Sequence, residues 1–483
     1  MNKRFDLAVV GAGSGGIGAA TAAARLGLSV LLIEKADALG GNAVRGGVHV
    51  WEAGVGGTGI PFDIYRRLKR IPGAVGVYSF RRHVCWPEPG SLRFPGGEMV
   101  IDPARRYADS LRRHGAPSLR DDEAFFREHV HGVVFEPEAY TRVVEEMLAE
   151  TGQCAVLAHT KLVGAHVDSG RVTSLRLSGG LTVEADVFID CTADALLCLA
   201  CGCETLTGQE SRETFDEPHA PEKATGRVNG VTLIFRITPT DEPGIEPLPG
   251  DVPRECWWRD RFPSTCCSQY PCGDFNMNML PTMDGEEFLR LEYDDAYEEC
   301  RRRLLAHWHQ NQTTFPEFQQ FRLSWIAPAL GVRETRRTVC EYMLTEHDLV
   351  WGLAGQTHPD IVTIVDHPMD THGKGGVGGE VRAPYGVPFR CLVPKGVENL
   401  LVACRGAGFS SLAASSCRLS RTIMQLGQAA GTAAALAKEC AVVIADLPAD
   451  ELRQSLRDQY VQLDWPMPND LADHLAENDA TGR

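Results

Sequence analysis

The run Asp366-His-Pro-Met-Asp-Thr-His372 is the densest cluster of ionisable side chains in the 483 residues of this chain. Histidine suits proton transfer, because its unperturbed pKa of about 6.5 lies near neutral pH. Asp370 and His372 are two positions apart, so an extended backbone turns both side chains to one side. We predict that His372 is a catalytic acid or base and that Asp370 orients it. The alternative is a polar loop held by structural hydrogen bonds.

Three arginines stand close together in Gly331-Val-Arg-Glu-Thr-Arg-Arg337. If this segment is helical, Arg333 and Arg337 share a face at i, i+4, and Arg336 lies beside Arg333 at i, i+3. A guanidinium can hold a carboxylate through two parallel hydrogen bonds, so we predict that Arg333 clamps a polar group of a substrate. The alternative is an ion-pair network between domains.

A glycine-rich turn, Gly11-Ala-Gly-Ser-Gly-Gly16, directly follows an apolar run at 6–10 that is typical of a buried strand. The pattern then predicts a helix over 17–28 and a second strand over 29–33, which ends in Glu34. A lone G-x-G-x-x-G is a weak signal. Here strand, turn, helix, strand and acid follow in the order that binds a dinucleotide.

Each part of this unit has a physical reason. Gly11 permits the tight turn, Gly13 lets a pyrophosphate approach the backbone, and Gly16 lets helix and strand pack closely. The phosphates then lie at the helix N-terminus, where free N–H groups and the helix dipole favour negative charge. Glu34 follows Gly13 at about the 20-residue spacing expected of the acid that binds a ribose diol.

Three further segments separate FAD from NAD. Residues 39–47 contain paired glycines that let a loop lie flat along an extended cofactor, residues 188–194 form a late strand and turn, and residues 399–403 form a strand before a helix predicted over 421–437. Together these features resemble the FAD-dependent oxidoreductase family related to the fumarate reductase and glutathione reductase flavoproteins. The resemblance covers most of the chain and is most specific at 6–47, 331–337 and 387–431.

The resemblance implies an α/β fold: a Rossmann-like, glutathione reductase-type FAD-binding domain with a β-meander, plus a second α+β substrate domain. Short alternating strands with two turns indicate the meander at 155–188. The expected domains are a discontinuous FAD-binding domain (1–60, 130–205 and 385–440), a substrate domain (206–384 with part of 61–129), and a C-terminal helix and polar tail (441–483).

The resemblance also implies FAD as cofactor. The residues expected to bind it are Gly11, Gly13, Ser14, Gly15, Gly16, Glu34, Lys35, Gly40, Gly41, Asn42, Arg45, Gly46, Gly47, Val48, Thr192, Asp194, Arg405, Ser415, Ser416 and Gln428. The segment Ala43-Val-Arg45 carries no histidine, so we expect non-covalent FAD, although His49 is close enough to leave a covalent link open.

The chemistry expected is hydride transfer between flavin N5 and a small organic substrate, with an external electron acceptor or oxygen. A dedicated NAD(P)H domain is not expected, because the glycines at 373–379 follow no apolar strand, and no cysteine pair suits a disulfide reductase. The alternatives are a flavin monooxygenase or halogenase, and a non-enzymatic electron-carrying subunit. No metal is predicted, because the Asp-x-x-x-Asp-x-His spacing lacks obvious further ligands.

The overall charge of −16 argues against nucleic acid or an anionic membrane as partner. No apolar run of about 18 residues suggests a membrane span, and the first strand begins too early to leave room for a secretory signal. The sixteen cysteines are scattered, which is typical of reduced thiols. We therefore expect a cytoplasmic protein and leave a homo-oligomer open.

Overall fold

The computed structural model describes residues 4–79, 100–112, 128–258, 266–278, 281–373, 378–379 and 381–480. Its strands are β1 Arg4–Val10, β2 Val30–Ile33, β3 Val50–Trp51, β4 Val75–Ser79, β5 Val100–Ile101, β6 His131–Phe135, β7 Cys154–Leu157, β8 Leu162–Asp168, β9 Arg171–Leu177, β10 Thr182–Asp190, β11 Thr205–Thr207, β12 Phe235–Pro239, β13 Cys266–Gln269, β14 Phe275–Asn278, β15 Phe321–Ile326, β16 Arg336–Thr338, β17 Ile361–Val365, β18 Met369–Asp370, β19 Gly378–Gly379, β20 Tyr385–Pro388 and β21 Leu400–Val402. Its helices are α1 Ser14–Arg25, α2 Ile60–Leu68, α3 Pro137–Glu150, α4 Leu196–Ala200, α5 Arg212–Phe215, α6 Gly285–Phe288, α7 Tyr293–Thr314, α8 Glu346–Gly355, α9 Ser411–Cys417, α10 Ser420–Cys440, α11 Ala449–Asp458 and α12 Asn469–Ala480.

A parallel sheet brings together strands from distant parts of the chain. Its strands run in the order β7, β2, β1, β10, and β21 pairs with the far side of β10. Most of the β1 and β2 side chains are buried on both faces, as their near-continuous apolar runs predict. The carboxyl ends of β1, β2, β10 and β21 meet at one edge, which is where ligands bind in sheets of this type.

The expected β-meander is confirmed. β8 pairs antiparallel with β9, and β9 pairs antiparallel with the start of β10, whose second half then enters the parallel sheet. The Rossmann-like α/β architecture predicted from the sequence is therefore present. The meander and the parallel sheet are continuous through β10.

Two helices with small residues, α1 and α10, pack against each other at very close range. A Cβ added to Gly427 of α10 would lie 2.0 Å from the carbonyl oxygen of Gly15, and one added to Gly431 would lie 2.2 Å from that of Ala19. Glycine is therefore needed for the approach of α10 to α1. The helices expected over 17–28 and 421–437 are confirmed, with bounds shifted by a few residues.

A second region is built on antiparallel strands. The sheet β13-β14-β12-β15, which we call the second sheet, packs with α7 around a core of its own that includes Phe235, Met277, Leu304 and Trp308. A further antiparallel sheet, β3-β6-β4-β5, joins chain from 50–135. These sheets provide the second α+β part that the sequence predicts.

The C-terminal segment differs from the expected helix and polar tail. Two helices form there, α11 and α12, and the second buries Leu471 and Leu475 in the main core. Lys69 of the N-terminal half pairs with Asp479 at its end. The sequence pattern does not indicate α12, because Leu471 and Leu475, four apart on one helix face, are outnumbered by polar neighbours. Among the helices in the described ranges, none combines the length and apolarity needed to cross a bilayer.

Candidate active site

The turn after β1 is shaped by direct contact with the neighbouring strand ends. A Cβ on Gly11 (φ +99°) would meet the carbonyl oxygen of Cys191 at 2.3 Å, and one on Gly16 would meet that of Gly11 at 1.8 Å. A Cβ on Gly15 would meet the carbonyl oxygen of Ala403, which follows β21, at 1.8 Å. The backbone therefore admits no side chain at these positions, as the sequence pattern predicts.

Glu34 fixes the turn to the end of β2. Its buried carboxylate accepts hydrogen bonds from the N–H of Ala12 (2.7 Å) and the N–H of Ala36 (2.8 Å). The acid expected to bind a ribose thus lies directly beside the glycine turn. Lys35 follows it and is exposed.

Residues 40–47, which we call the glycine loop, lie on this turn. The N–H of Gly40 donates to the carbonyl oxygen of Ala12 at 2.8 Å. A Cβ on Gly41 would lie 2.9 Å from the Cα of Gly13. The glycine loop therefore lies in direct contact with the dinucleotide turn.

Asp194 joins three of the segments singled out in the sequence. Its carboxylate accepts hydrogen bonds from Arg405 (2.6 Å) and from the hydroxyl of Thr335 (2.6 Å). Burial opposes ionisation of Asp194, but the charges and hydrogen bonds of Arg405, Thr335 and Lys35 outweigh it and lower its pKa.

The backbone on both sides of Asp194 is strained. Ala193 has φ 72° and Ala195 has φ 53°, a left-handed conformation that alanine rarely adopts. Such strain persists only where the surroundings impose it, and it is concentrated at functional sites. Thr192 and Asp190 hold the strained turn, because the buried Asp190 carboxylate accepts from the Thr192 N–H (2.9 Å) and hydroxyl (2.7 Å). Asp190 was not among the predicted site residues.

The donors and the space at this edge fit a bound dinucleotide. A Cβ on Gly13 would meet no described atom within 4 Å, so the turn opens onto free space there. No described side chain caps α1, which leaves its first N–H groups to an anion. The Nε of Arg405 is buried and finds no hydrogen-bond partner in the described part of the chain. These groups suit the pyrophosphate and ribityl oxygens of FAD.

His372 and Asp370 form the predicted pair. His372 Nε2 lies 2.7 Å from the Asp370 carboxylate, and the His372 side chain is only 14% exposed. The backbone fixes both residues, because the His372 N–H donates to Asn229 (2.7 Å) and the Gly230 N–H donates to the carbonyl oxygen of His372 (3.1 Å). No hydrogen bond among the described residues engages His372 Nδ1.

Opposing influences set the protonation of this pair. Burial, together with the charges of Arg333 and Arg418, lowers the pKa of His372 to about 4, and Asp370 only partly offsets them. Burial also disfavours ionised Asp370, but His372, Arg418 and His367 outweigh it and lower the pKa of Asp370. At neutral pH, the pair is therefore a neutral imidazole that donates its Nε2 proton to a carboxylate.

Arg333 lies beside His372, as expected for a residue of the same site. Its Nη1 donates to the carbonyl oxygen of Gly230 (2.9 Å) and to the hydroxyl of Thr232 (2.7 Å). Arg418 lies next to the partner of the histidine, with Nη2 3.4 Å from the Asp370 carboxylate. Both guanidiniums are close enough for their charges to lower the pKa of His372.

The helical arrangement considered for the three arginines is wrong. Residues 336–338 form strand β16, so Arg333 and Arg337 do not share a helix face. Arg337 is fully buried and pairs with Glu334 and with Glu210 (2.5 Å). For Arg337, the alternative of an ion-pair network is therefore the correct one. The segment is not helical, because the backbones of Arg336 and Arg337 pair with strand β11.

Ser415 and Ser416 of α9 support the loop that carries the histidine. The Ser415 hydroxyl accepts from the N–H of Asp370 (3.1 Å), and the Ser416 hydroxyl donates to the carbonyl oxygen of His367 (2.5 Å). The side-chain amide of Gln428 bonds other parts of the protein: its oxygen accepts from the N–H of Ile60 (3.1 Å), and its nitrogen donates to the side chain of Gln459 (3.0 Å). These contacts leave its expected contact with FAD without support.

Another histidine of the same loop, His367, pairs with a carboxylate from a distant part of the chain, and this pair was not predicted. His367 is buried, and its Nε2 lies 3.3 Å from the carboxylate of Glu52. Glu52 also provides the carbonyl oxygen that binds Arg421 in the first turn of α10. No sequence signal links residues 52 and 367, which lie far apart in the chain.

Within the described ranges, no three His, Cys, Asp or Glu side chains are arranged to hold a metal.

A family model and several solved structures are similar to this chain. Residues 6–456 match the family model described as FAD dependent oxidoreductase. A solved geranylgeranyl bacteriochlorophyll reductase-like protein from Thermoplasma acidophilum is 12% identical over 99% of this chain and 96% of that chain, with a TM-score of 0.45. A solved p-nitrophenol 4-monooxygenase from Pseudomonas putida is 12% identical over 100% of this chain and 95% of that chain, with a TM-score of 0.42.

A flavin-dependent brominase is likewise 12% identical over 94% of this chain and 83% of that chain, with a TM-score of 0.44. At such scores these likenesses carry no argument about the reaction. No curated protein matches the chain. A specific relation to fumarate reductase stays a prediction.

Proposed function

The chain belongs to the FAD-dependent oxidoreductase family, and on that premise we propose that it oxidises a small organic substrate by hydride transfer. FAD is its cofactor and, when bound, supplies the hydride acceptor. An external acceptor or oxygen then takes the electrons. The observation that carries the proposal is the partly buried His372–Asp370 pair, whose histidine pKa is lowered by burial and by the charges of Arg333 and Arg418.

In this proposal His372 removes a proton from the substrate. Asp370 accepts a hydrogen bond from the Nε2–H group, so Nε2 keeps its proton. Nδ1 then carries the lone pair that can accept the substrate's proton. A neutral histidine with a lowered pKa is a proton acceptor rather than a donor at neutral pH, which favours the oxidising direction. Asp370 keeps the ring oriented and stabilises the imidazolium that forms.

Arg333 is proposed to bind a polar group of the substrate. Its Nη1 contacts with Gly230 and Thr232 fix the guanidinium, so little freedom is lost on binding. The His372 ring is only 14% exposed, which limits the access of water to the proton to be moved.

The cofactor residues divide into two groups in this proposal. Gly13, the first turn of α1 and Arg405 would bind the phosphates and the ribityl chain, with Asp194 orienting Arg405. Ser415 and Ser416 would act indirectly, because their hydroxyls hold the histidine loop.

We further propose that FAD is bound without a covalent link. His49, the candidate for such a link, is 1% exposed, and both of its ring nitrogens are engaged, by Tyr270 and by the carbonyl oxygen of Val44. A ring nitrogen that forms a bond to the flavin would have to leave one of these partners. Acid precipitation should therefore release all of the yellow cofactor into the supernatant.

Anaerobic bleaching of the flavin tests the function. The purified yellow protein is mixed with a panel of sugars, hydroxy acids, amines and enoates, and the loss of flavin absorbance is followed. For a substrate found in this way, we expect His372→Ala to slow bleaching by about 10²-fold or more, the usual contribution of a positioned acid or base. His166→Ala, on the exposed face of β8, is the matched control and should bleach normally.

Bleaching of His372→Ala at the rate of His166→Ala would refute the assigned role of His372. A purified protein that is colourless and binds no FAD would refute the function as a whole.

A further inference from the structure

The glycine loop is held on the side away from the dinucleotide turn by the second sheet and the chain next to it. A Cβ on Gly47 (φ +75°) would lie 2.6 Å from the Cβ of Ile234, directly before β12. The N–H of Ala329 donates to the carbonyl oxygen of Arg45 at 3.1 Å. The amide of Asn42 donates to the carbonyl oxygen of Val332 at 3.3 Å. The loop is therefore sandwiched between two parts of the fold.

One end of the loop is bound through Asn276 of β14. Its Nδ2 donates to the carbonyl oxygen of Gly47 at 2.8 Å and to the hydroxyl oxygen of Tyr270 at 3.0 Å. Both N–H groups of the amide are thereby used, and the Asn276 side chain is buried. Tyr270 follows β13, so the same sheet supplies both residues.

A second connection runs from Tyr270 through His49. The Tyr270 hydroxyl contacts His49 Nδ1, and His49 Nε2 lies 3.0 Å from the carbonyl oxygen of Val44. A carbonyl oxygen only accepts, so Nε2 carries the proton and Nδ1 accepts the proton of the tyrosine. In this series of hydrogen bonds, each N–H or O–H group of the Asn276, Tyr270 and His49 side chains therefore has its own acceptor.

The surroundings keep His49 neutral, which this chain of hydrogen bonds requires. Burial lowers the pKa of His49 to about 4, and the nearby charge of Arg236 acts in the same direction. Arg236 lies over the Tyr270 ring at 4.0 Å and is itself paired with Glu136 (2.7 Å) and Asp274 (2.5 Å). A protonated His49 could no longer accept from Tyr270.

We propose that Asn276, Tyr270 and His49 are positioning residues for FAD, which fix the glycine loop through the carbonyl groups of Val44 and Gly47. Because the loop lies on the dinucleotide turn, FAD affinity then depends on two buried side chains of the second sheet region, Asn276 and Tyr270, and on buried His49, which lies two residues after the loop. Linkage makes the effect reciprocal: bound FAD stabilises the second sheet. This inference goes beyond the proposed function, because it is independent of the substrate.

Titration of the apoprotein with FAD, followed by quenching of flavin fluorescence, tests the proposal. We expect Tyr270→Phe and Asn276→Ala each to raise the Kd by about tenfold, as loss of a buried hydrogen bond would. In the double variant the increase should be smaller than the product of the two, because both act through one chain of hydrogen bonds.

Tyr297→Phe is the matched control. It also removes one hydroxyl hydrogen bond, to the carbonyl oxygen of Ala327 (2.9 Å), beside the glycine loop, but within the described residues neither Tyr297 nor Ala327 is hydrogen-bonded to the loop. Its Kd for FAD should equal that of the unmodified protein. The rise in Tm on adding FAD is a second readout and should be smaller for Tyr270→Phe than for Tyr297→Phe.

Circular dichroism establishes which variants fold, and either Tyr270→Phe or Asn276→Ala decides alone if the other does not. A folded variant of either kind that binds FAD as tightly as Tyr297→Phe would overturn the proposal. Because no substrate is added, failure here leaves the proposed function standing.

Discussion

His372 illustrates how single residues control the chemistry proposed for this site. Burial lowers its pKa most, Arg333 and Arg418 lower it further and Asp370 raises it, so its charge depends on its burial and on groups from three separate segments. The sequence predicted the His372–Asp370 pair because two positions of an extended strand suffice to define it. It did not predict Asn229, which fixes the backbone of His372 from a distant part of the chain.

The pH dependence of substrate oxidation should follow His372. Since the neutral form accepts the proton, activity is present above its pKa and is lost as pH falls through about 4. Arg333→Gln removes a positive charge, so the pKa of His372 rises and the loss should begin at higher pH. The limiting rate of anaerobic flavin reduction at saturating substrate measures this. Arg336→Gln, in β16, should keep the original profile, and a shared profile for both variants would contradict the prediction.

At the scale of elements, the contact between α1 and α10 joins the dinucleotide unit to the C-terminal third of the chain. The sequence predicted both helices and their small residues, but not that the two helices touch. The contact matters for the site because α1 begins at the glycine turn and α10 begins two residues after Arg418.

Gly431→Ala should separate these helices. The added Cβ would lie 2.2 Å from a backbone oxygen of α1, and backbone cannot move aside cheaply. We expect a loss of about 1–3 kcal/mol in stability, the usual cost of overpacking. Thermal unfolding of the holoprotein measures it. Gly226→Ala, where an added Cβ meets no described atom within 4 Å, should unfold like the unmodified protein.

For the whole molecule, buried neutral His49 makes stability depend on pH. Its pKa is near 4 in the folded state and about 6.5 when unfolded, so the unfolded chain binds the proton first as pH falls. The contribution of neutral His49 to the free energy of unfolding is therefore complete above about pH 6.5. It is lost progressively down to pH 4, by about 3 kcal/mol in all.

Comparison of Tm at pH 7 and pH 5 tests this expectation. The unmodified protein should lose more Tm over this interval than His49→Asn, which cannot be protonated. Other groups that titrate in the interval are common to both proteins and cancel in the difference. An equal loss in the two proteins would show that His49 does not control the acid limb.

The amino-acid sequence by itself determined the dinucleotide unit, because glycine turn, helix, strand and Glu34 are consecutive and their spacing is set by local backbone geometry. It also determined the meander and the family. Only the tertiary structure decided the different positions of the two arginines: Arg333 lies near His372, and Arg337 is buried in ion pairs with two glutamates. It alone joined His49 to Tyr270, since a contact between distant residues depends on how whole sheets pack. The domain limits stay a prediction.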